Sequence, residues 1–388
     1  MTRTTYIWER PDWPRFRWRE GELLVPLAEA RRKQGLLLGG LRRIGFDMRL
    51  RAELEAVVEE AVTTSAIEGE TLDRARVRSS VARRLGLLDV AAPPADRHTE
   101  GLVEMLLDAT HRYASPLDAE TLLGWHGALF PTGRAGLHRI VTGAWRPGPV
   151  QVVSGPIGRE HVHFEGPPAA RVEAEMERFL DWFERSRTDP ALARDGLVRA
   201  GLAHLWLVTI HPFEDGNGRI ARAVTERALA QDEGLSQRFY GMSAAIRAER
   251  EGYYRVLERT QKEGLDVTSW LVWFLACLGR ALDAAEAVLE RVLAKAAFWQ
   301  GLSATDLNPR QRKVLNRVLD GFEGNLTTRK WAALGKCSIA TAQRDINDLL
   351  GQGVLTRNPG GSRRTSYRLA AASGAEAAPD QPLKTTVR

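Results

Sequence analysis

The segment 211–222 restricts the structure of this chain more than any other part of its sequence. Gly216 and Gly218 flank Asn217 at the point where the residue pattern predicts the start of a helix. Without side chains at the two glycines, backbone N–H groups and the helix N-terminus can face a negatively charged group. The segment therefore predicts a phosphate-binding turn between two helices.

The charged residues of the segment add chemistry to this turn. Arg219 and Arg222 are three residues apart on the opening turns of the helix, so both guanidinium groups can bind the same polyphosphate. Asp215 is an oxygen ligand of the kind that Mg²⁺ prefers, and His211 can take up a proton near neutral pH. A histidine before a glycine-rich turn can instead be a simple helix cap. The complete set favours nucleophilic attack at phosphorus.

The segment resembles the signature of the Fic family, His-x-Phe-x-Asp/Glu-Gly-Asn-Gly-Arg-x-x-Arg, at every specified position, and the wider resemblance runs over residues 117–275. The resemblance implies an enzyme that transfers AMP from ATP to a Ser, Thr or Tyr hydroxyl of a protein, with Mg²⁺. It implies that His211 is the base, that Phe213 anchors the loop and that Asp215 holds Mg²⁺. It also implies phosphate contacts from the remaining signature residues: Gly216, Asn217, Gly218, Arg219 and Arg222.

A related branch of the superfamily transfers phosphate and carries Ala or Asn and then Lys around the turn. Gly216 and Gly218 favour the AMP-transferring branch. Transfer of another phosphate-linked group remains an alternative.

The segment Thr64–Gly69 resembles the inhibitory motif of the same family, Ser/Thr-x-x-x-Glu-Gly/Asn. The resemblance implies that Glu68 pairs with Arg222 and takes the place of the γ-phosphate, so that ATP binds unproductively. The same glutamate supports AMP removal in some relatives, which leaves a reverse activity open here. Taken alone, Glu68 followed by Gly69 is also typical of a solvated helix end.

A hairpin is predicted where β-prone residues 150–153 and 161–164 enclose a Gly- and Pro-containing loop. It corresponds to the flap of the Fic family, which receives the target segment by strand addition, although a purely structural hairpin fits equally well. His161 and His163 share one strand face. Because no carboxylate or third histidine lies near them in sequence, we do not predict a metal there.

The resemblance also implies an adenosine pocket near residues 252–254. Tyr254 would offer a ring and a hydroxyl, and Gln261 would offer hydrogen bonds, although adjacent tyrosines on a helix are more often core residues. The N-terminal aromatic residues 6–16 resemble a lead segment of bacterial relatives, and we expect them to pack on the helical core.

Apolar periodicity predicts helices over residues 47–63, 118–130, 169–185 and 195–211, and a further helical series over 309–319, 327–334 and 338–350. The last series resembles a winged helix-turn-helix that binds DNA or protein. Its candidate DNA contacts are Thr341, Gln343, Arg344, Arg363, Arg364 and Arg368. From residue 303 onward there are 14 Lys and Arg against 7 Asp and Glu, so attraction for nucleic acid would belong to this part.

The fold class expected is mainly α, with a Fic-type helical core, a β-hairpin flap and a C-terminal winged helix-turn-helix domain. The expected division is an N-terminal helical region over 1–115, a catalytic core over 116–300, a winged helix over 303–370 and a disordered tail over 371–388. Only two cysteines are present, Cys277 and Cys337, which fits a reducing cytoplasm. We expect a cytoplasmic homodimer without membrane association. The competing function is a DNA-binding regulator whose core senses nucleotides.

Overall fold

The computed structural model describes residues 5–87, 95–155, 159, 161–193, 195–303, 305–319, 324–359 and 365–370. Arg363, Arg364 and the tail from residue 371 lie outside these ranges, so the predictions for them concern residues that are not described. The chain divides into two compact units, 1–286 and 287–388. In the described residues of both units helices predominate, which confirms the expected fold class.

The first unit begins with a 3-10 helix at Ile7–Glu9. Its helices are α1 Glu20–Leu41, α2 Phe46–Ile67, α3 Arg74–Arg84, α4 Arg97–His111, α5 Ala119–Leu129, α6 Ala169–Arg185, α7 Pro190–Ala193, α8 Gly196–Ile210, α9 Asn217–Glu233, α10 Ser243–Ala248 and α11 Arg250–Lys262; α12 spans Thr268–Gly301. Its strands are β1 Arg134–Ala135, β2 His138–Arg139, β3 Gln151–Ser154 and β4 His161–Glu165.

Helices α8 and α9 pack along each other at the centre of the first unit. All residues of α8 from Leu197 to Ile210 are buried. A helix that is apolar on every side belongs in a core, and this position explains why the sequence of α8 lacks a polar face. The loop that joins the two helices therefore starts and ends on well-packed elements.

Helix α2 is longer than the sequence predicted, since it runs from Phe46 to Ile67 rather than over 47–63. Glu68 caps its C-terminus, and Gly69 takes a left-handed conformation with a φ of 85°. That conformation suits glycine and ends the helix. Helix α2 also contacts α9, and the C-terminal end of α2 lies next to the first turns of α9.

The predicted hairpin is confirmed, because β3 and β4 pair in antiparallel fashion with a shift of register between Val152 and Val153. The N-terminal aromatic residues support its second strand. The rings of Tyr6 and Phe164 meet edge to face with centroids 5.2 Å apart, and Trp8 Nε1 donates to the Glu165 carbonyl at 2.7 Å. The rings of Trp13 and Phe16 also meet Trp206 of α8 edge to face, with centroids 6.1 Å and 5.7 Å apart, which confirms the expected aromatic packing on the helical core.

The second unit contains α13 Pro309–Leu319, α14 Thr328–Gly335, α15 Ile339–Gly351 and the antiparallel strands β5 Leu355–Arg357 and β6 Tyr367–Leu369. Ser338 Oγ accepts a hydrogen bond from Thr341 N at 3.1 Å, as expected of a helix N-cap. The turn falls one residue later than predicted, at Lys336, which has a φ of 49°. This order of elements confirms the winged helix-turn-helix.

None of the helices in the described ranges has both the length and the apolar content that crossing a bilayer requires.

Candidate active site

The loop between α8 and α9 is held in shape by Asn217 and Phe213. The Asn217 side chain accepts from Phe213 N at 2.9 Å and donates to the Phe213 carbonyl at 2.8 Å. The Phe213 ring is fully buried and stacks on the imidazole of His126, with centroids 4.2 Å apart. Phe213 thus anchors the loop in the core, and the Asn217 amide is used to close the loop.

His211 is the last residue before this loop and adopts a left-handed conformation with a φ of 52°. Its Nδ1 lies 3.1 Å from the Val208 carbonyl. Because a carbonyl can only accept, Nδ1 must carry the proton, which leaves the lone pair on Nε2. Burial lowers the pKa of His211 below its usual value. The imidazole is therefore a neutral base at neutral pH.

Arg146 braces the same loop, and sequence reasoning missed it. Its Nε donates to the His211 carbonyl at 2.7 Å, its Nη1 donates to the Gly148 carbonyl at 2.6 Å, and its backbone N donates to the Pro212 carbonyl at 2.9 Å. The side chain is buried. Since Arg146 lies shortly before β3, it ties the base of the hairpin to the loop that carries His211. No sequence pattern marks an arginine whose partners are backbone carbonyls.

The two glycines of the loop are required by close neighbours. A Cβ at position 216 would lie 2.8 Å from Phe130 Cε2, and Gly216 has a φ of 82°. A Cβ at position 218 would lie 2.4 Å from Glu68 Oε1 and 3.1 Å from Arg222 Nη1. The space above Gly218 is thus the place where a phosphate could approach, and the Glu68 carboxylate occupies it.

Arg222 is buried beneath this space. Its Nη2 donates to Glu68 Oε1 at 2.6 Å and to the Thr64 carbonyl at 3.1 Å, while its Nε donates to Thr64 Oγ1 at 2.6 Å. Burial alone would lower the pKa of Arg222, but the charge of Glu68 raises it overall. Within the described residues its Nη1 has no hydrogen-bond partner. Buried donors are normally satisfied, and a phosphate oxygen is a suitable acceptor for this one.

Arg219 is buried at the neighbouring position and is held by a second carboxylate from the same segment. Its Nη1 donates to Glu70 Oε2 at 2.9 Å, and its Nη2 lies 3.4 Å from Asp215 Oδ1. Its guanidinium group sits 5.0 Å from the centre of the Phe130 ring. The sequence analysis missed Glu70. Residues 64–69 resemble the inhibitory motif, and Glu70 lies one position after them.

Glu70 is held in turn by His98. The Nε2 of His98 lies 3.1 Å from Glu70 Oε2, and its Nδ1 lies 2.7 Å from the Leu129 carbonyl. Both partners can only accept when Glu70 is ionised, so both ring nitrogens donate and His98 is an imidazolium. The hydrogen bond from His98, followed by the charge of Arg219, lowers the pKa of Glu70, while the bond to Glu70 raises the pKa of His98. Residues 68–70 therefore place one carboxylate beside each arginine at the start of α9: Glu68 beside Arg222 and Glu70 beside Arg219.

Asp215 lies at the open side of the loop, with 45% of its side chain exposed. Its Oδ1 accepts from Gly216 N at 2.5 Å. A partly exposed carboxylate beside a phosphate-binding turn fits Mg²⁺, which keeps several waters and binds one or two carboxylates together with substrate phosphates.

Comparisons with known proteins identify this arrangement. Residues 116–229 match the Fic/DOC family. This chain carries a Fic domain. Residues 310–367 match the DeoR-like helix-turn-helix domain, and residues 6–87 match a domain of unknown function, DUF4172.

Curated relatives with the Fic domain include the protein adenylyltransferase Fic of Culex quinquefasciatus and that of Aedes aegypti, each 28% identical over 236 residues. The match covers 60% of this chain and 42% of each relative, so the chain spans about two fifths of their length. The crystal structure of a Fic family protein from Desulfovibrio desulfuricans G20 is 22% identical, covers 91% of this chain and 97% of that chain, and has a TM-score of 0.50. This last likeness shows the fold.

The remaining residues predicted for the Fic site are Tyr254 and Gln261, both on α11. Tyr254 is 37% exposed, and its ring centre lies 5.3 Å from the guanidinium group of Arg250. Arg250 Nε donates to the carbonyl of Ile67, the residue before Glu68, at 3.1 Å. Gln261 is buried and donates to Thr209 Oγ1 at 3.2 Å. The structure thus brings Tyr254 to the site and uses the Gln261 amide inside the core.

Proposed function

We propose that this chain is a protein adenylyltransferase that moves AMP from ATP to a Ser, Thr or Tyr hydroxyl of a protein. The observation that carries the proposal is the position of a neutral His211 beside a glycine turn that is backed by two buried arginines. This combination supplies a base for an alcohol and a binding place for a triphosphate.

In the proposed reaction, His211 Nε2 takes the proton of the target hydroxyl. The hydroxyl oxygen attacks the α-phosphorus, and the bond from that phosphorus to the bridging oxygen of pyrophosphate breaks. Arg219 and Arg222 hold the β- and γ-phosphates, which keeps the leaving group in line with the attack. Mg²⁺ held by Asp215 would neutralise charge on the phosphates. Tyr254 would line the adenosine end of the site.

We further propose that the described conformation is inhibited. The Glu68 carboxylate occupies the space above Gly218 and takes a donor of Arg222 that the γ-phosphate needs. Glu70 likewise accepts from a donor of Arg219, which the nucleotide would otherwise use. Charge pairs at buried guanidinium groups are stronger than pairs in water, so the two carboxylates compete effectively with phosphate. Productive ATP binding then requires residues 68–70 to move away.

Intact-mass analysis after incubation with ATP and Mg²⁺ tests both parts of the proposal. Glu68→Gly should gain one or more AMP groups on itself or on an added protein, while the wild type gains much less and Glu68→Gly/His211→Ala gains none. Glu59→Gln, which removes an exposed carboxylate on the same helix, is the matched control and should behave as the wild type. A folded Glu68→Gly protein without label would overturn the proposal, and an added mass of phosphate would show the alternative reaction.

The same samples test the reverse activity. Once labelled, a protein that contains Glu68 should lose AMP in Mg²⁺ without ATP, and one that lacks Glu68 should keep it. Equal loss from both would show that Glu68 does not support AMP removal.

DNA binding by the second unit is a further proposal, supported by the match to a DeoR-like helix-turn-helix. Arg344 on α15 and Arg368 on β6 are exposed. Gln343 is engaged inside the unit, since its Oε1 accepts from Thr328 Oγ1 at 3.1 Å. Salt-sensitive DNA binding that survives His211→Ala and is lost in Arg344→Ala would support this function. Binding that is unchanged in Arg344→Ala would count against this surface.

A further inference from the structure

The hairpin and helix α11 bring together three side chains that can bind a metal ion. These are His161 and His163 on β4 and Glu258 on α11, whose ligand atoms all lie within 4.8 Å of one another. Among the described residues, no other group of three His, Cys, Asp or Glu side chains meets this spacing. The sequence analysis set a metal aside because no carboxylate lies near the two histidines in the chain. The fold supplies that carboxylate from 95 residues away.

The contacts of these side chains suit a ligand set. The two histidine rings meet edge to face with centroids 4.6 Å apart. The Nδ1 of His163 lies 2.7 Å from Glu258 Oε2, and its Nε2 lies 2.6 Å from Ser154 Oγ. His161 is exposed, which gives an ion access from solvent. The shared proton between His163 and Glu258 marks the place that a cation would take.

Lys262 orients the carboxylate of Glu258. The ammonium of Lys262 donates to Glu258 Oε1 at 2.5 Å, which leaves Oε2 for the histidine side. A partner that orients a ligating carboxylate is typical of the outer shell of metal sites.

We propose that His161, His163 and Glu258 form a site for a divalent transition metal, with Zn²⁺ as its best-fitting ion. Two imidazoles and one carboxylate are ligands that Zn²⁺ accepts, and such three-ligand sites leave a position for water. Metal–ligand bonds of about 2.0–2.1 Å in a tetrahedral site place the ligand atoms about 3.3 Å apart. His163 Nδ1 and Glu258 Oε2 would therefore separate by about 0.6 Å, and the most distant pair would approach by at most about 1.5 Å. The metal would take the place of the proton between His163 Nδ1 and Glu258, and His163 would then carry its proton on Nε2, where it can donate to Ser154 Oγ.

The site has a consequence for the hairpin. Strand β4 belongs to the flap, and α11 carries Tyr254 of the proposed adenosine pocket. A metal that is ligated from both elements joins them by a coordinate cross-link. Metal binding can be measured independently of AMP transfer, since none of the three residues belongs to the proposed catalytic set.

Titration of the full chain with ZnCl₂ by calorimetry, with Co²⁺ absorption as a second readout, tests the proposal. All proteins carry Asp215→Asn, so that the proposed Mg²⁺ ligand does not contribute. The parent protein should bind one Zn²⁺ with an affinity that falls by at least about tenfold in His161→Ala and in Glu258→Gln. The d–d bands of a low-symmetry Co²⁺ site should weaken in the same variants.

His111→Ala is the matched control. His111 Nε2 lies 2.6 Å from Glu53 Oε1, which makes the same kind of histidine–carboxylate pair outside the three-residue group. Its removal should leave Zn²⁺ binding unchanged. Circular dichroism shows whether each variant is folded. The proposal is overturned if the parent binds no Zn²⁺, or if His161→Ala and Glu258→Gln bind it as tightly as the parent does.

Discussion

Arg222 Nη2 and Glu68 Oε1 lie 2.6 Å apart, although 154 positions separate the two residues in the chain. The pair joins the C-terminus of α2 to the first turns of α9 and lies directly over Gly218. Because Arg222 is almost fully buried, a neighbouring anion offsets the cost of burying its charge. Under the proposed function, Glu68 and a nucleotide phosphate are alternatives for the same guanidinium group.

Glu70 should act as a second inhibitory carboxylate. In a Glu68→Gly background, Glu70→Gln frees Arg219 for the nucleotide and should raise the initial rate of AMP transfer at low ATP by up to about tenfold, the equivalent of one charged hydrogen bond. Glu59→Gln in the same background is the control. A lower rate in the Glu70→Gln protein would instead mean that Glu70 positions Arg219 for catalysis.

Gly218 should be required for ATP binding as well as for the approach of Glu68. In a Glu68→Gly background, Gly218→Ala places a methyl group 3.1 Å from Arg222 Nη1, where a phosphate oxygen would lie. We expect ATP affinity, measured by calorimetry, to fall by about tenfold or more. The control is Gly39→Ala on α1, whose added methyl group meets no atom within 4 Å. Equal losses in both variants would contradict this role of Gly218.

The pH dependence of AMP transfer should report His211. The base acts in its neutral form, and burial lowers its pKa. Activity of Glu68→Gly should therefore stay constant above about pH 6.5, the usual pKa of histidine, and fall only at lower pH as the imidazole becomes protonated. The check is kcat/KM as a function of pH, with circular dichroism at each pH to confirm folding. An acidic limb centred above that value would argue against a buried, neutral base.

Asp345 should stabilise the second unit. It is buried and accepts from Arg310 Nε at 2.6 Å, from Arg310 Nη2 at 2.7 Å and from Trp331 Nε1 at 3.2 Å. Asp345→Ala should lower the free energy of unfolding of the second unit by about 1–3 kcal/mol. The loss is limited because Arg310 is partly exposed, so water can replace part of its lost hydrogen bonding. Hydrogen exchange of α15 in the full chain measures this loss, and Asn347→Ala, an exposed neighbour, should cost much less. Similar exchange in both variants would contradict the assignment.

Through the same aspartate, the stability of the second unit should depend on pH. Its hydrogen bonds to Arg310 lower its pKa in the folded state. The stabilisation is therefore complete above the ordinary pKa of an aspartate and is lost as the pH falls through the lowered one. The protection of the α15 amides, taken relative to the intrinsic exchange rate at each pH, should fall in strongly acidic solution in the wild type and change less in Asp345→Ala.

Local patterns were sufficient to predict much of this protein. The periodicity of residues 169–185 matches α6 at both ends, and the β-prone runs around residue 155 became β3 and β4. A chemical role could be predicted for residues 211–222 because all of them lie within one short turn and the start of the helix that follows it. Such features depend on neighbours within a few positions, and a single sequence contains that information.

Apart from the Glu68–Arg222 pair, which the family resemblance implied, only the tertiary structure decided which distant side chains meet. Glu70 lies 149 positions from Arg219, Arg146 lies 65 positions from His211, and Glu258 lies 95 positions from His163. None of these pairs follows from spacing, because each forms only when helices and strands that are far apart in the chain pack together. The sequence by itself therefore determined the glycine turn and the elements on either side of it. The packing of those elements decided which charges surround the turn, since an ion pair depends on distance in space rather than along the chain.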